Sequence, residues 1–260
     1  MITIAYSFFQ VHAGTISFFK ALEQDLIERL DESVSTNDLL RAMQAFSEVS
    51  EDFPAIFVQL ETLFVQRLDL LNIDELTCCA NGFGIAGFGS QFLFNCIEEI
   101  LLEQLAELST TNIKEISRAF FFTSNGTEML YKALYPRLDL VLDEFTSREL
   151  LYLLYAYHKI GFLPKKLVRD IELKVAAVLS DTKHVEIEEL QLMAQVFCRS
   201  RAGSRDFHKL LETTILTRLD DVRSVPKVLF SIGLEFEKSG LCSLDTLKIL
   251  KKKMLEIEVE

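Results

Sequence analysis

The sequence predicts an all-α protein: an α-solenoid of about seven helical hairpin repeats of about 38 residues each. Three observations predict it. The tripeptide Arg-Leu-Asp occurs at Arg29, Arg67, Arg137 and Arg218, with spacings of 38, 70 and 81 residues. Turn residues Gly14, Ser50, Gly87, Gly126, Gly161, Gly203 and Gly240 follow one another at 36, 37, 39, 35, 42 and 37 residues. Ahead of most of these turns, apolar residues recur at i, i+4 and i+7, the one-sided stripe of an amphipathic helix. Twenty-one Phe beside no Trp, ten Gly and four Pro fit packed helices better than a Gly/Pro-punctuated β-fold.

The units run as 1–35, 36–71, 72–110, 111–145, 146–183, 184–222 and 223–260, and are expected to form one domain. Unit one opens on Met1-Ile2-Thr3-Ile4-Ala5-Tyr6-Ser7-Phe8-Phe9, the first helix, and turns at Gly14. Unit two starts at the N-cap residues Thr36-Asn37-Asp38, carries the stripe Leu39, Met43, Phe46, and turns at Ser50. Unit three repeats this with Asn72-Ile73-Asp74, then Leu76, Ala80, Phe83 and Gly87. Unit four has Thr111-Asn112, Ile116 and Phe120, with Thr123 at the third place, and Gly126. Unit five has Thr146-Ser147, Leu150, Leu154, Tyr157, Gly161 and a second helix over 165–179, with Pro164 suited to its first turn. Unit six has Leu190, Ala194, Phe197, Gly203 and a second helix over 207–219. Unit seven uses Val228 and Ile232, with Phe236 one position late, and Gly240.

In this register Arg29, Arg67, Arg137 and Arg218 fall at the ends of second helices, where a cation complements the negative end and Leu is the last buried contact. Units three (Gln104-Leu105-Ala106) and five (Lys174-Val175-Ala176) keep only the apolar residue, so packing and capping explain the motif.

The charge is divided unevenly. Residues 1–130 hold 6 Lys/Arg against 19 Asp/Glu, a net of −13, and residues 131–260 hold 21 against 20, a net of +1. Polyanion binding draws on phosphate neutralisation, so any nucleic-acid contact belongs to the second half. Five Cys, with no C-x-x-C pair, read as reduced core thiols. The longest apolar run, 83–97, is too interrupted to span a membrane. The N-terminus lacks a basic segment and starts abruptly, as a chain relieved of its presequence would.

No nucleotide, zinc-protease, serine-hydrolase or EF-hand motif is present, and an enzyme, a metal or a cofactor is not expected. Gly82-Phe83-Gly84-Ile85-Ala86-Gly87 spells G-x-G-x-x-G, but it closes a helix beginning near Ile73, whereas a dinucleotide fingerprint opens one. The four histidines, His12, His158, His184 and His208, lack metal-type spacing. The candidate site is basic: Lys159, Lys165 and Lys166 surround Gly161, and Arg199, Arg201, Arg205 and Lys209 surround Gly203, extended by Lys238. Interleaved Tyr155, Tyr157, Phe162 and Phe207 would give such a rim the stacking faces of a single-strand RNA site; a partner-protein contact and a solvated rim are the other readings.

Glu149-Leu150-Leu151-Tyr152-Leu153-Leu154-Tyr155-Ala156-Tyr157-His158-Lys159-Ile160-Gly161-Phe162 resembles the "eLxxLLxAxxKLG" helix of organellar octotricopeptide, heptatricopeptide and RAP/FAST-kinase-like repeat proteins. The resemblance implies a solenoid of the mitochondrion or plastid, acting in RNA metabolism or as a structural piece of an organellar ribosome or other large complex. The expectation is therefore a non-catalytic scaffold subunit of a mitochondrial matrix assembly, ribosomal or RNA-processing, held by other protein subunits and, through its second half, by RNA. A direct single-stranded RNA binder is the alternative, and an accessory subunit of a respiratory or ATP synthase complex is a further one.

Overall fold

Hydroxyl and amide side chains open most of the helices. Thr15, Asn72, Ser90, Ser109, Thr127, Thr146 and Ser204 each accept a hydrogen bond from a backbone amide three residues on. These bonds satisfy amides that have no partner in the first helical turn. In unit two the cap is Ser35, one residue ahead of the expected Thr36, and in unit four it is Ser109, with Asn112 returning the bond to the Ser109 amide.

The computed structural model describes residues 1–11, 13–47, 52–180 and 185–259, so Ser50, His12 and His184 lie outside the described residues. Among those described, the secondary structure is entirely helical, with fifteen α-helices and no strand. The chain divides into two compact units, Met1–Glu144 and Phe145–Glu260.

The first unit contains α1 (Ile2–Gln10), α2 (Ile16–Arg29), α3 (Thr36–Ser47), α4 (Pro54–Val65), α5 (Ile73–Ala86), α6 (Gln91–Glu103), α7 (Thr110–Thr123) and α8 (Glu128–Val141). Odd helices pack on odd, α1 on α3, α3 on α5 and α5 on α7, and even on even, α2 on α4, α4 on α6 and α6 on α8. The predicted stripes Leu39, Met43, Phe46 and Leu76, Ala80, Phe83 are buried between the two layers. A chain of edge-on Phe rings, Phe19, Phe46 and Phe53, then Phe57, Phe83 and Phe64, fills the space.

The second unit contains α9 (Ser147–Ile160), α10 (Lys165–Ser180), α11 (Ile187–Ser200), α12 (Arg205–Thr217), the short α13 (Leu219–Arg223), α14 (Pro226–Ser239) and α15 (Leu244–Val259). Here α9 packs on α11 and α11 on α14, while α10 packs on α12. The expected helix over 207–219 begins two residues earlier and ends at Thr217, since Ser204 caps it.

The G-x-G-x-x-G stretch is a packing device. A Cβ on Gly82 would meet the Met43 side chain of α3 at 2.3 Å, and one on Gly84 would meet the Ala119 Cα of α7 at 2.5 Å. Gly87 is the left-handed C-cap of α5, at φ 69°.

The turn residues form two classes. Gly87, Gly161 and Gly240 are left-handed C-caps, and in units four and six that place is held by Ser124 (φ 56°) and Arg201 (φ 49°). The C-cap series 87, 124, 161, 201, 240 is more even than the glycine series. Gly14, Gly126 and Gly203 instead precede the N-caps Thr15, Thr127 and Ser204 of the following helix.

The four motif arginines sit at or near the expected ends and do more than complement a dipole. Arg67 donates to the carbonyls of Val34 (2.7 Å) and Glu32 (3.1 Å), and Arg137 to those of Ala106 (3.0 Å) and Leu108 (2.7 Å). Arg218 donates likewise to the Val185 carbonyl. Each guanidinium thus ties the end of an even helix to the connection entering the odd helix of the same hairpin. Arg29 pairs with Asp25, one turn back on α2.

A second recurring tie uses carboxylates. Glu61 of α4 accepts the Ser90 amide (3.1 Å), Glu98 of α6 the Thr127 amide (2.9 Å), Glu172 of α10 the Ser204 amide (2.9 Å) and Glu212 of α12 the Ser243 amide (3.1 Å). Glu23 of α2 accepts the Ile56 amide at 3.3 Å. Four of these ties run from an even helix to the start of the next even helix, and the fifth runs from α12 to the start of α15. The carboxylate meets both free amides and the positive helix end there.

Candidate functional site

The predicted basic residues all belong to the second unit, and the helix ends there decide which remain available. Lys159 stands in the last turn of α9 and its ammonium lies 5.3 Å from the Tyr155 ring centre. Lys165 and Lys166 are exposed at the start of α10. Arg201 is exposed at the left-handed end of α11, and Arg205 and Lys209 are exposed along the first turns of α12.

Arg199 has a structural task. Its Nε donates to Glu235 of α14 at 2.9 Å, and its Nη2 donates to the same carboxylate. The Glu235 side chain is 7% exposed and that of Arg199 is 45% exposed. The Glu235 bond comes first among the causes that hold the guanidinium well above its ordinary pKa; burial opposes it and a bond to Tyr155 of α9 supports it. Arg199 therefore clamps α9, α11 and α14 together.

Two clefts open in the second unit, the smaller of them at this clamp. The smaller, of about 290 Å³, is lined by Cys198, Arg199, Arg201, Glu235, Lys238 and Ser239. The larger, of about 630 Å³, opens between α12 and the start of α15 and is lined by Arg205, Asp206, Lys209, Glu212, Thr213, Leu216, Leu241, Cys242, Ser243 and Thr246. Its acids differ in role: Glu212 is engaged by the Ser243 amide and by the Thr246 hydroxyl at 2.8 Å, while Asp206 stands at the exposed entrance. With Arg205 and Lys209 against Asp206 and Glu212, the lining carries as many cations as acids.

Two of the four aromatics expected along the rim lie in the core instead. Tyr157 is fully buried and Phe207 nearly so, its ring 4.1 Å from that of Phe197. Both are core residues with no face to offer a base. Phe162 and Tyr155 are half-buried. His208 is also in the core, its Nε2 bonded to the Ala202 carbonyl at 2.8 Å. His158 is held below its ordinary pKa by burial first and by Lys159 second.

The thiols near the clefts are poor nucleophiles. Burial pushes Cys198 up to about 11 and Cys242 up to about 12, and nearby glutamates add to both. In the first unit Cys78 is likewise raised to about 11 and Cys79 well above its ordinary value, again chiefly by burial. Among the described residues no group of three or more His, Cys, Asp or Glu is placed to hold a metal ion. No described helix is long and apolar enough to cross a membrane.

Sequence reasoning missed Glu235 and the row Glu61, Glu98, Glu172 and Glu212. The signal was present, because Glu23, Glu61 and Glu98 follow at 38 and 37 residues and Glu172 and Glu212 at 40. No protein-family model matches this chain, and no curated protein matches it significantly.

Proposed function

We propose that this chain is a non-catalytic helical-repeat scaffold of seven hairpins, four in Met1–Glu144 and three in Phe145–Glu260, serving as a subunit of a mitochondrial macromolecular assembly, ribosomal or RNA-processing in kind. The observation that carries the repeat reading is the carboxylate tie, which recurs between the second helices of successive hairpins with acceptor and donor 29 to 33 residues apart. Repeats joined this way bury their core between neighbours and present long faces, a construction suited to holding partners. The raised thiol pKa values and the commitment of Arg199 to Glu235 favour holding over chemistry. The assembly's location rests on the resemblance of the 149–162 helix to organellar repeat proteins. Purification of the native protein under mild conditions, with the partners identified by mass, tests the proposal. Recovery free of any other subunit would overturn it.

The exposure of Arg201, Arg205 and Lys209 beside the clefts supports a second reading, direct binding of single-stranded RNA through the second unit. It requires binding to a single-stranded RNA oligomer that weakens steeply with salt and weakens further in the Arg201→Ala/Arg205→Ala variant. An unchanged affinity in that variant removes this reading.

A further inference from the structure

The cleft of about 290 Å³ at the ends of α11 and α14 carries more positive charge than the fold uses. Its one acid, Glu235, is buried and engaged by Arg199, whose Nε and Nη2 both donate to it. Arg201 and Lys238 are then the uncompensated charges of the lining, both exposed and neither paired with a carboxylate among the described residues. Arg201 is the decisive one. It is the C-cap of α11 at φ 49° and ψ 31°, left-handed backbone that is costly for a residue with a Cβ, and Gly87, Gly161 and Gly240 hold the same place in three other hairpins. The helix does not require its charge, because Arg199 already complements the negative end from the last turn, as Lys238 does for α14. A cation kept in strained backbone that capping would rather give to glycine points to a working position.

The charge of the lining selects the ligand. Arg199 and Glu235 cancel, and Arg201 with Lys238 leaves two positive charges. That matches the charge of about −1.5 to −2 on a phosphate monoester near neutral pH and exceeds the single charge of a diester within a chain. An arginine fork grips phosphate oxygens through two N–H groups at once, and the Ser239 hydroxyl stands in the same lining. A volume of about 290 Å³, at the small end for ligand sites, admits a phosphate and the sugar that bears it. We propose that this cleft seats a terminal phosphate monoester; resting on the reading of the second unit as a single-stranded RNA binder, the ligand is the 5′ phosphate of the RNA, held by Arg201 and Lys238.

Fluorescence anisotropy of the full chain with one single-stranded RNA oligomer, prepared with a 5′ phosphate and with a 5′ hydroxyl, tests this. The phosphorylated oligomer should bind about tenfold tighter, and Arg201→Gly/Lys238→Gln should bring the two within about twofold of each other. Lys165→Gln/Lys209→Gln removes the same charge from exposed positions outside the cleft and should keep the preference. Arg201→Gly alone should weaken the preference while leaving Tm unchanged or raised by up to about 4 °C, because glycine suits the left-handed position; a merely structural role for Arg201 would lower Tm instead. Inorganic phosphate supplies an arm without RNA: about 10 mM phosphate, against chloride at matched ionic strength, should raise the Tm of wild type and not that of Arg201→Gly/Lys238→Gln. If no RNA binds, a phosphate shift that is lost in the variant keeps the site and removes only the RNA reading, and the absence of a shift overturns both. RNA binding without a 5′ preference, or a preference that survives Arg201→Gly/Lys238→Gln, keeps the RNA reading and overturns this site.

Discussion

Replacing Gly84 by Ala isolates a close backbone approach of α5 to α7 in the first unit. The added methyl would sit 2.5 Å from the Ala119 Cα and 2.9 Å from its carbonyl oxygen, both backbone atoms that no rotamer change can move. Ordinary contact begins near 3.4 Å, so α5 and α7 must part by about 0.9 Å, a gap that forfeits a quarter to a half of each dispersion contact along the interface. The side chains that lose contact include Leu76, Ala80, Phe83, Ile116 and Phe120, all buried. Forced overpacking costs about 3 kcal/mol at the upper end of its usual range, and the helix preference of Ala over Gly returns about 1 kcal/mol. The net expectation is about 2 kcal/mol of destabilisation, a fall in Tm of roughly 4–8 °C by circular dichroism for a domain of this size. Adding Ala119→Gly should not restore stability, because the nearest obstacle is the Ala119 Cα, with its methyl farther off at 3.0 Å. A Gly84→Ala protein as stable as wild type, or full rescue by Ala119→Gly, would refute the argument.

Three further substitutions test the ties between helices. Arg137→Lys replaces a fork serving two carbonyls by a single ammonium and should cost about 1–2 kcal/mol in urea unfolding, while Arg29→Lys, which disturbs only an exposed pair with Asp25, should change stability by less than about 0.5 kcal/mol. Glu98→Ala leaves the Thr127 amide and hydroxyl without their acceptor and should lower stability by about 1–3 kcal/mol, against no measurable change for the exposed neighbour Glu99→Ala. Glu115 is raised above its ordinary pKa, chiefly by burial, with Asp74 adding to the rise and the bond from Thr77 opposing it. A carboxyl raised on folding contributes stability that is present at low pH and lost as pH climbs through the folded value, so wild type should lose stability relative to Glu115→Gln as pH rises from about 4.5 towards neutrality; a constant difference between the two proteins would contradict this.

Helix positions were legible in the sequence because burying one face imposes the 3.6-residue period directly on residue type. The stripes Leu39, Met43, Phe46 and Leu150, Leu154, Tyr157 are core for that reason. The same logic could have kept Tyr157 out of the candidate site, since a residue closing a buried stripe has no outer face. The exact turns were harder to place. A glycine at positive φ looks the same before an N-cap as after a helix end, so Gly126 and Gly203 stood in for the true caps Ser124 and Arg201, two non-glycine residues in left-handed backbone. The carboxylate ties stayed hidden because Glu is a common surface residue and its partner lies about thirty residues on. Arg199 looked available because its partner Glu235 stands 36 residues away, on a helix whose neighbour only the fold reveals.

The carboxylate ties give the chain a direction during synthesis. Each Glu is translated 29 to 33 residues ahead of the amide it accepts. At ribosomal rates of 5–20 residues per second, that carboxylate waits roughly 1.5 to 6.5 seconds for its donor. A hairpin leaving the ribosome is therefore incomplete until the helix start of the next one follows it out. Folding should advance from the N-terminus one hairpin behind translation, each new helix start completing the unit made before it.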